Sequence, residues 1–129
     1  MSYQPIIING QKLQYLNMCD FDSPDVLGSA VNMQPVTLLF LERLCVHLGS
    51  YLSPTSAYRT KAYNAKIKGA SNSAHLRGYA IDLPCNNSYM RYKIISFAML
   101  SNVPRLEVGA NWIHIDFDPS LPQKVIFLP

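Results

Sequence analysis

Three short segments, 79–83, 105–108 and 112–117, alternate between aliphatic or aromatic residues and polar or charged residues. Successive side chains of a β-strand point to opposite faces, so each segment can bury one face in a core. The side chains of that buried face are Tyr79, Ile81, Leu83, Leu106, Val108, Ile113, Ile115 and Phe117. The alternation predicts three strands of one small sheet.

The opposite face of the same strands collects charged residues and a histidine. The larger side chains placed there are Asp82, Arg105, Glu107, Trp112, His114 and Asp116. An ordinary solvated sheet face would show the same alternation. However, His75 lies seven residues before Asp82 and adds a second histidine. Zinc accepts imidazole nitrogen and carboxylate oxygen and keeps a further position for water in catalytic sites. A metal site is therefore one interpretation of this face. The His-x6-Asp spacing alone does not establish it.

Helical patterns occur in the segments between these strands. In residues 35–48, leucines recur at three- and four-residue steps, with a proline at the start and a glycine after the end. Residues 60–68 and 88–100 are predicted as two further helices, and residues 53–58 and 124–128 as short outer strands. Helices and strands mixed in this order predict an α+β fold.

The size and composition predict one globular domain. The 129 residues fit a single domain over 1–129, and about half of them are apolar. Residues 1–20 are expected to form an irregular N-terminal segment, because Pro5 and Gly10 interrupt them. No run approaches the ~20 apolar residues of a membrane-spanning helix, so no membrane insertion is expected.

Charge and cysteine content limit the partners and the compartment. A net charge of +3 suits a polyanionic partner, but no dense basic patch or binding motif indicates nucleic acid, so none is expected. The three cysteines are an odd number without a CxxC pair, which argues against a disulfide framework and favours folding in a reducing compartment.

One continuous run of residues resembles the signature of a known family. Residues 73–82 read S-A-H-L-R-G-Y-A-I-D and match the S-x-H-x-x-G-x-A-x-D pattern of the zinc D-Ala-D-Ala carboxypeptidases, a family that includes phage endolysin peptidases. Residues 112–116, W-I-H-I-D, resemble its second motif, and residues 56–64 resemble its S-x-Y-R…Y-N segment. The resemblance covers roughly residues 20–118.

The resemblance implies both a fold and a set of site residues. The implied fold is hedgehog/D-Ala-D-Ala carboxypeptidase-like, with a small antiparallel sheet carrying the zinc and helices on its other side. By their positions in the motifs, the implied zinc ligands are His75, Asp82 and His114. The implied arginine for a substrate carbonyl or carboxylate is Arg59, although a structural ion pair is an alternative role for it. Ser73 and Trp112 are candidate substrate-binding residues.

The general base is where the chain departs from the family. Related enzymes carry an acidic residue or a histidine shortly before the last zinc histidine, whereas Asn111 occupies the position three residues before His114. Two candidates remain. Asp116 shares a strand face with His114 and could be the base or could orient a zinc ligand. Glu107 shares that face only if the strand register is right.

The function implied is that of a Zn²⁺-dependent peptidase that hydrolyses peptidoglycan stem peptides or cross-bridges containing D-amino acids, and a phage-type enzyme of cell-wall degradation is expected. The alternative is a catalytically inactive relative that binds peptidoglycan or has a structural role, which the asparagine at position 111 favours. A monomer is expected. Residues 1–10 lack the pattern of a signal peptide, so synthesis in the cytoplasm is expected, with action on the wall after release or after delivery, for instance by a virion.

Overall fold

The computed structural model describes residues 3–129. Its strands are β1 (Pro5–Ile8), β2 (Gln11–Asn17), β3 (Ala80–Pro84), β4 (Arg105–Val108), β5 (Trp112–Asp116) and β6 (Val125–Phe127). Its helices are α1 (Pro35–Leu48), α2 (Lys61–Lys66) and α3 (Ser88–Leu100), with short 3₁₀ turns at Met18–Phe21, Ser29–Asn32 and Ala74–Arg77. The chain is thus α+β, as the sequence predicts.

A four-stranded sheet in the order β3-β5-β4-β6 lies at the centre of the fold. β3, β5 and β4 pair antiparallel, but β6 runs parallel to β4, so the expectation of a wholly antiparallel sheet is wrong at this edge. The connection explains the difference. Asp116 ends β5 opposite Arg105, and residues 117–124 turn the chain around that end of β4. β6 therefore starts beside Arg105 and continues in the direction of β4.

The aliphatic face of the sheet and the buried sides of α1 and α3 form one hydrophobic core. The central side chains Ile81, Ile113 and Ile115 are fully buried, as are Leu44 of α1 and Ile94 of α3. The burial of apolar surface, at about 25 cal/mol per Å², is the main favourable term of such a core. The opposite face of the sheet is left free for polar side chains.

The N-terminal segment is more regular than the sequence analysis predicts. β1 and β2 form an antiparallel hairpin, and residues 1 and 2 of the expected irregular segment lie outside the described part of the chain. Asn9 and Gly10 both have positive φ, 51° and 78°, which is the conformation of a tight hairpin turn whose twist matches the strands. An Asn-Gly pair is the standard sequence signal for this turn. The hairpin is attached to α1, because the Glu42 carboxylate accepts hydrogen bonds from the backbone N–H groups of Gln14 and Tyr15.

Other predicted elements vary in accuracy. α1 has the predicted bounds, and α3 begins after Asn87, whose side chain accepts the backbone N–H of Met90. The predicted strand over residues 53–58 is wrong: the segment is extended but makes only an isolated bridge between Ser56 and Asp82. α2 is confirmed but shorter than predicted.

Two expectations from composition can also be compared with the fold. Among the described residues, no helix has both the length and the apolar character needed to span a bilayer. The three cysteines, Cys19, Cys45 and Cys85, are all free thiols.

Candidate metal centre

His75 lies in a tight 3₁₀ turn that connects a polar loop to β3. The Ser73 hydroxyl accepts the backbone N–H of His75 at 3.2 Å and begins the 3₁₀ turn. Gly78 ends it with φ +76°, and a Cβ at this position would lie 2.0 Å from the backbone oxygen of Asn32. Only glycine fits both the left-handed conformation and the close backbone contact. The motif glycine therefore sets the direction in which the chain enters β3.

The pairing of β3 with β5 places the other two candidate ligands side by side. Asp82 lies directly opposite His114 in the register, on the sheet face away from the core. Nitrogen atoms of His75 and His114 and a carboxylate oxygen of Asp82 all lie within 4.8 Å of one another. The structure thus brings together three residues that are up to 39 positions apart in the sequence.

Hydrogen bonds determine which nitrogen of each imidazole faces Asp82. His75 Nδ1 lies 2.6 Å from the Ala57 carbonyl oxygen, which can only accept, so Nδ1 donates and Nε2 faces Asp82 Oδ1 at 3.3 Å. His114 Nε2 donates to Asp116 Oδ2 at 2.7 Å, and its Nδ1 lies 2.8 Å from Asp82 Oδ1. Each histidine is therefore anchored through one nitrogen and presents the other to the same carboxylate oxygen.

The protonation of the cluster follows from this arrangement. Burial alone would raise the pKa of Asp82, but the hydrogen bonds from His114 and His75 outweigh it and hold that pKa well below its usual value. Burial alone would lower the pKa of His114, but hydrogen bonds to Asp116 and Asp82 raise it to about 9. The carboxylates of Asp82 and Asp116 therefore stabilise a positive charge on the His114 imidazole, which lies between them.

The donor set fits a divalent transition metal. In a tetrahedral zinc site with bonds of about 2.0 Å, neighbouring ligand atoms lie about 3.3 Å apart. The 3.3 and 2.8 Å separations of the histidine nitrogens from Asp82 Oδ1 are close to this spacing. Both imidazoles have their second nitrogen fixed by an acceptor, as ligating histidines normally do. The residues therefore fit a metal held by two nitrogens and one oxygen, with a further position open to the cleft.

Asp116 contacts His114 from the side away from Asp82. Its carboxylate is fully buried and accepts hydrogen bonds from His114 Nε2, from Arg105 Nε at 2.8 and 3.0 Å, and from the backbone N–H of Asp118. Arg105 is also buried, so the two opposite charges compensate each other. Of the two roles that the sequence left open, this geometry suits the orientation of His114 better than proton transfer to substrate.

Arg59 borders the cluster from the other side. Its guanidinium donates to Ser56 Oγ at 3.1 Å, to Asn64 Oδ1 at 3.2 Å and to Asp82 Oδ2 at 3.4 Å. The ion pair considered as an alternative for Arg59 is thus present. A guanidinium has five N–H groups, however, so these bonds leave about two of them for another acceptor.

The candidate ligands line a cleft of about 370 Å³. Its walls combine Arg59, Ser73, Arg105, Glu107 and Asp116 with the apolar residues Ala70, Leu121 and Phe127. Glu107 lies opposite His114 in the β4–β5 register, which is the position that a role as general base requires. Its carboxylate makes no hydrogen bond or ion pair with any described residue.

Two residues considered in the sequence analysis lie elsewhere. Trp112 is not among the described residues that line the cleft, and its ring packs where a side chain on Gly109 would be. Asn111 lies in the turn between β4 and β5 and borders a different depression, beside Cys85. Asn111, three residues before His114, is therefore not among the described residues that line the cleft.

Some residues of the site are absent from the sequence prediction. Phe127 and Leu121 reach the cleft only because β6 returns beside β4. No local pattern indicates that return. The Ala57 carbonyl that anchors His75 carries no side-chain signal at all. Strand alternation alone places Arg105 on the polar face of the sheet. Its pairing with Asp116 follows only from the register between β4 and β5.

Comparison with known proteins identifies the family of this chain. The sequence model of the Peptidase M15 family matches residues 12–116, and the chain therefore belongs to that family. The resemblance to zinc D-Ala-D-Ala carboxypeptidases is confirmed at this level, and the class of protein is a metallopeptidase. No curated protein matches the chain.

Proposed function

We propose that this protein is a zinc-dependent peptidase that hydrolyses peptidoglycan peptides containing D-amino acids. The observation that supports it most is the convergence of His75, Asp82 and His114 at the base of a cleft that also holds a free carboxylate and a guanidinium. Zinc held there would polarise the scissile carbonyl and make water more acidic. Other divalent metals share this donor preference, so metal identity is part of the test.

Glu107 is the proposed general base. Its place opposite His114 puts its carboxylate at the same level of the sheet as the metal ligands. Because it has no partner among the described residues, it is available to take a proton from attacking water and return it to the leaving amine. Asp116 is proposed as the residue that orients His114, since its oxygens already accept three N–H donors, those of Arg105, His114 and Asp118.

Arg59 is the proposed binding group for substrate oxygen. Its side chain is only 13% exposed, so its charge acts in a partly desolvated cleft. An arginine fixed by Ser56 and Asn64 costs little reorganisation when it binds a carbonyl, a carboxylate or the developing oxyanion. Ser73 lines the same cleft, although its hydroxyl already supports the loop of His75, so a substrate contact would be a second role.

The cleft and the family both support the proposed substrate class. A cationic group next to apolar walls suits peptides of alanine-like residues that carry carboxylates, and peptidoglycan stem peptides have this composition. Carboxypeptidase and endopeptidase cleavage are both compatible with such a cleft. A phage-type enzyme that reaches the wall after release or delivery remains our hypothesis for the biological setting.

The test is digestion of purified sacculi of several wall chemotypes by the zinc-loaded protein, with the muropeptides identified by mass spectrometry. New products that disappear with chelator and return with zinc are expected, and their masses identify the bond. Asp82→Asn protein serves as the matched control, since it keeps the size of the side chain but loses a ligand charge. If zinc-loaded protein yields no products from any chemotype yet binds sacculi, the site is one for binding, and the peptidase proposal is wrong.

A further inference from the structure

The last residues of the chain hold a buried arginine of the site in place. Arg105 Nη1 donates to the carbonyl oxygen of Pro122 at 2.7 Å, and its guanidinium carbon lies 5.2 Å from the centre of the Phe127 ring. Both residues lie beyond residue 116, where the family match ends. An arginine over an aromatic ring is attracted by the negative face of the ring quadrupole, and the attraction is stronger when the cation is desolvated.

The same arginine is connected to a proposed metal ligand through one carboxylate. Arg105 Nε donates to both oxygens of Asp116, and Asp116 Oδ2 accepts the Nε2–H of His114. His114 Nδ1 then faces Asp82. The chain of contacts therefore runs from Phe127 and Pro122 through Arg105 and Asp116 to the nitrogen that points at the metal position.

We infer that Arg105, fixed by the C-terminal strand β6 and the turn before it, is a positioning residue that orients His114 for metal binding through Asp116. The inference rests on the proposed metal site. Without the guanidinium, Asp116 would be a buried carboxylate with no compensating cation and without the Nε–H donor that its two oxygens share. Its carboxylate would then be free to rotate, and His114 would lose the acceptor that fixes its ring.

The burial of the arginine–aspartate pair supports this role over one in substrate binding. Arg105 is 9% exposed and Asp116 is not exposed. The Nε atom of Arg105 donates to Asp116 and its Nη1 atom donates to the Pro122 carbonyl oxygen. These bonds hold the guanidinium against a buried carboxylate and a backbone carbonyl, which favours a positioning role. Groups that orient a metal-ligating histidine from behind typically affect metal affinity by 10–100-fold.

The experiment compares zinc affinity of Arg105→Gln, Arg105→Lys and wild-type protein, measured by competition with a chromophoric chelator. Arg91→Gln is the matched control, because Arg91 also donates to a backbone carbonyl, that of Ala110, but lies on α3 away from the cleft. We expect Arg105→Gln to bind zinc at least about tenfold more weakly, Arg105→Lys to fall between it and the wild type, and Arg91→Gln to match the wild type.

A second readout separates positioning from general loss of stability. In zinc-loaded protein, the Nε2–H proton of His114 should give an NMR signal that exchanges slowly with water, and in Arg105→Gln it should exchange about tenfold faster or more. The Nδ1–H proton of buried His75, which donates to the Ala57 carbonyl oxygen, serves as the internal reference. Its signal should not change.

The outcomes are distinct from those of the proposed function. If wild-type protein does not bind zinc, the metal site itself is wrong. If the wild type binds zinc tightly and folded Arg105→Gln matches it in affinity and in His114 exchange, the positioning role is wrong and the metal site stands. Should Arg105→Gln fail to fold, Arg105→Lys decides: wild-type affinity and exchange in that variant would overturn the inference, and weaker binding with faster exchange would support it.

Discussion

Glu107 lies directly opposite His114 in the pairing of β4 with β5, on the face of the sheet that carries Asp82. We predict that Glu107→Gln lowers kcat on muropeptide substrates by about 10²–10⁴-fold, because the amide cannot take a proton from water. Zinc content, measured by elemental mass spectrometry, should equal that of the wild type. Asp20→Asn, which removes a carboxylate outside the cleft, should leave kcat unchanged.

Asp116→Asn should behave differently from Glu107→Gln. The substitution removes the charge that orients His114 and that compensates Arg105, so we expect zinc affinity to fall by about 10–100-fold. Chelator competition measures this change, and activity should recover in part at high zinc. An Asp116→Asn protein with normal zinc affinity and no activity at any zinc concentration would instead identify Asp116 as the base.

The three proposed ligands should be equivalent in a metal-binding assay. His75→Ala and His114→Ala each remove one nitrogen from a three-residue set, and we expect bound zinc to fall below about one tenth of the wild-type amount after dialysis. His47→Ala is the matched control, since His47 is an exposed residue of α1 that stacks on Phe97 and does not line the cleft. Zinc retained by both site variants, as measured by elemental analysis, would show that the metal binds elsewhere.

Gly78→Ala tests the turn that presents His75. Alanine at φ +76° costs about 1 kcal/mol, and overlap of its Cβ with the Asn32 backbone oxygen should add about 1–3 kcal/mol. Gly49 has φ +75° with open space around it, so Gly49→Ala should show the conformational cost alone. Urea denaturation of the two variants measures the difference. Equal losses of unfolding free energy would contradict the close contact at Gly78.

The ion pair of Asp118 with Arg77 predicts a pH dependence of stability. Burial alone raises the pKa of Asp118, but hydrogen bonds from Ser120 and the charge of Arg77 lower it below its ordinary value of 3.8. Stability from a lowered pKa is fully present above about pH 3.8 and is lost as the pH falls through the folded-state value. Wild type should therefore exceed Asp118→Asn in unfolding free energy near pH 6, and the difference should shrink below about pH 3.8. Urea denaturation with chelator present measures it, and a constant difference would contradict the assignment.

The sequence by itself determined the three central strands, the three helices and the candidate ligands, but neither the N-terminal hairpin nor the bridge at Ser56. Strand alternation places Asp82 and His114 on a polar face whatever the rest of the chain does, because the side-chain period of a strand is two. The helix over Pro35–Leu48 follows from its leucine spacing and from the residues at its ends. These features depend on the local backbone geometry, which residues close together in the sequence specify.

Only the tertiary structure decided how those residues act together. The register between β4 and β5 places Glu107, rather than the turn residue Asn111, beside the cluster, and the same register pairs Arg105 with Asp116. The return of β6 alongside β4 brings Phe127 and Pro122 to Arg105, and no periodicity predicts a parallel pairing made by so short a connection. Such contacts depend on the closure of loops and on the packing of distant segments, which a local pattern does not encode.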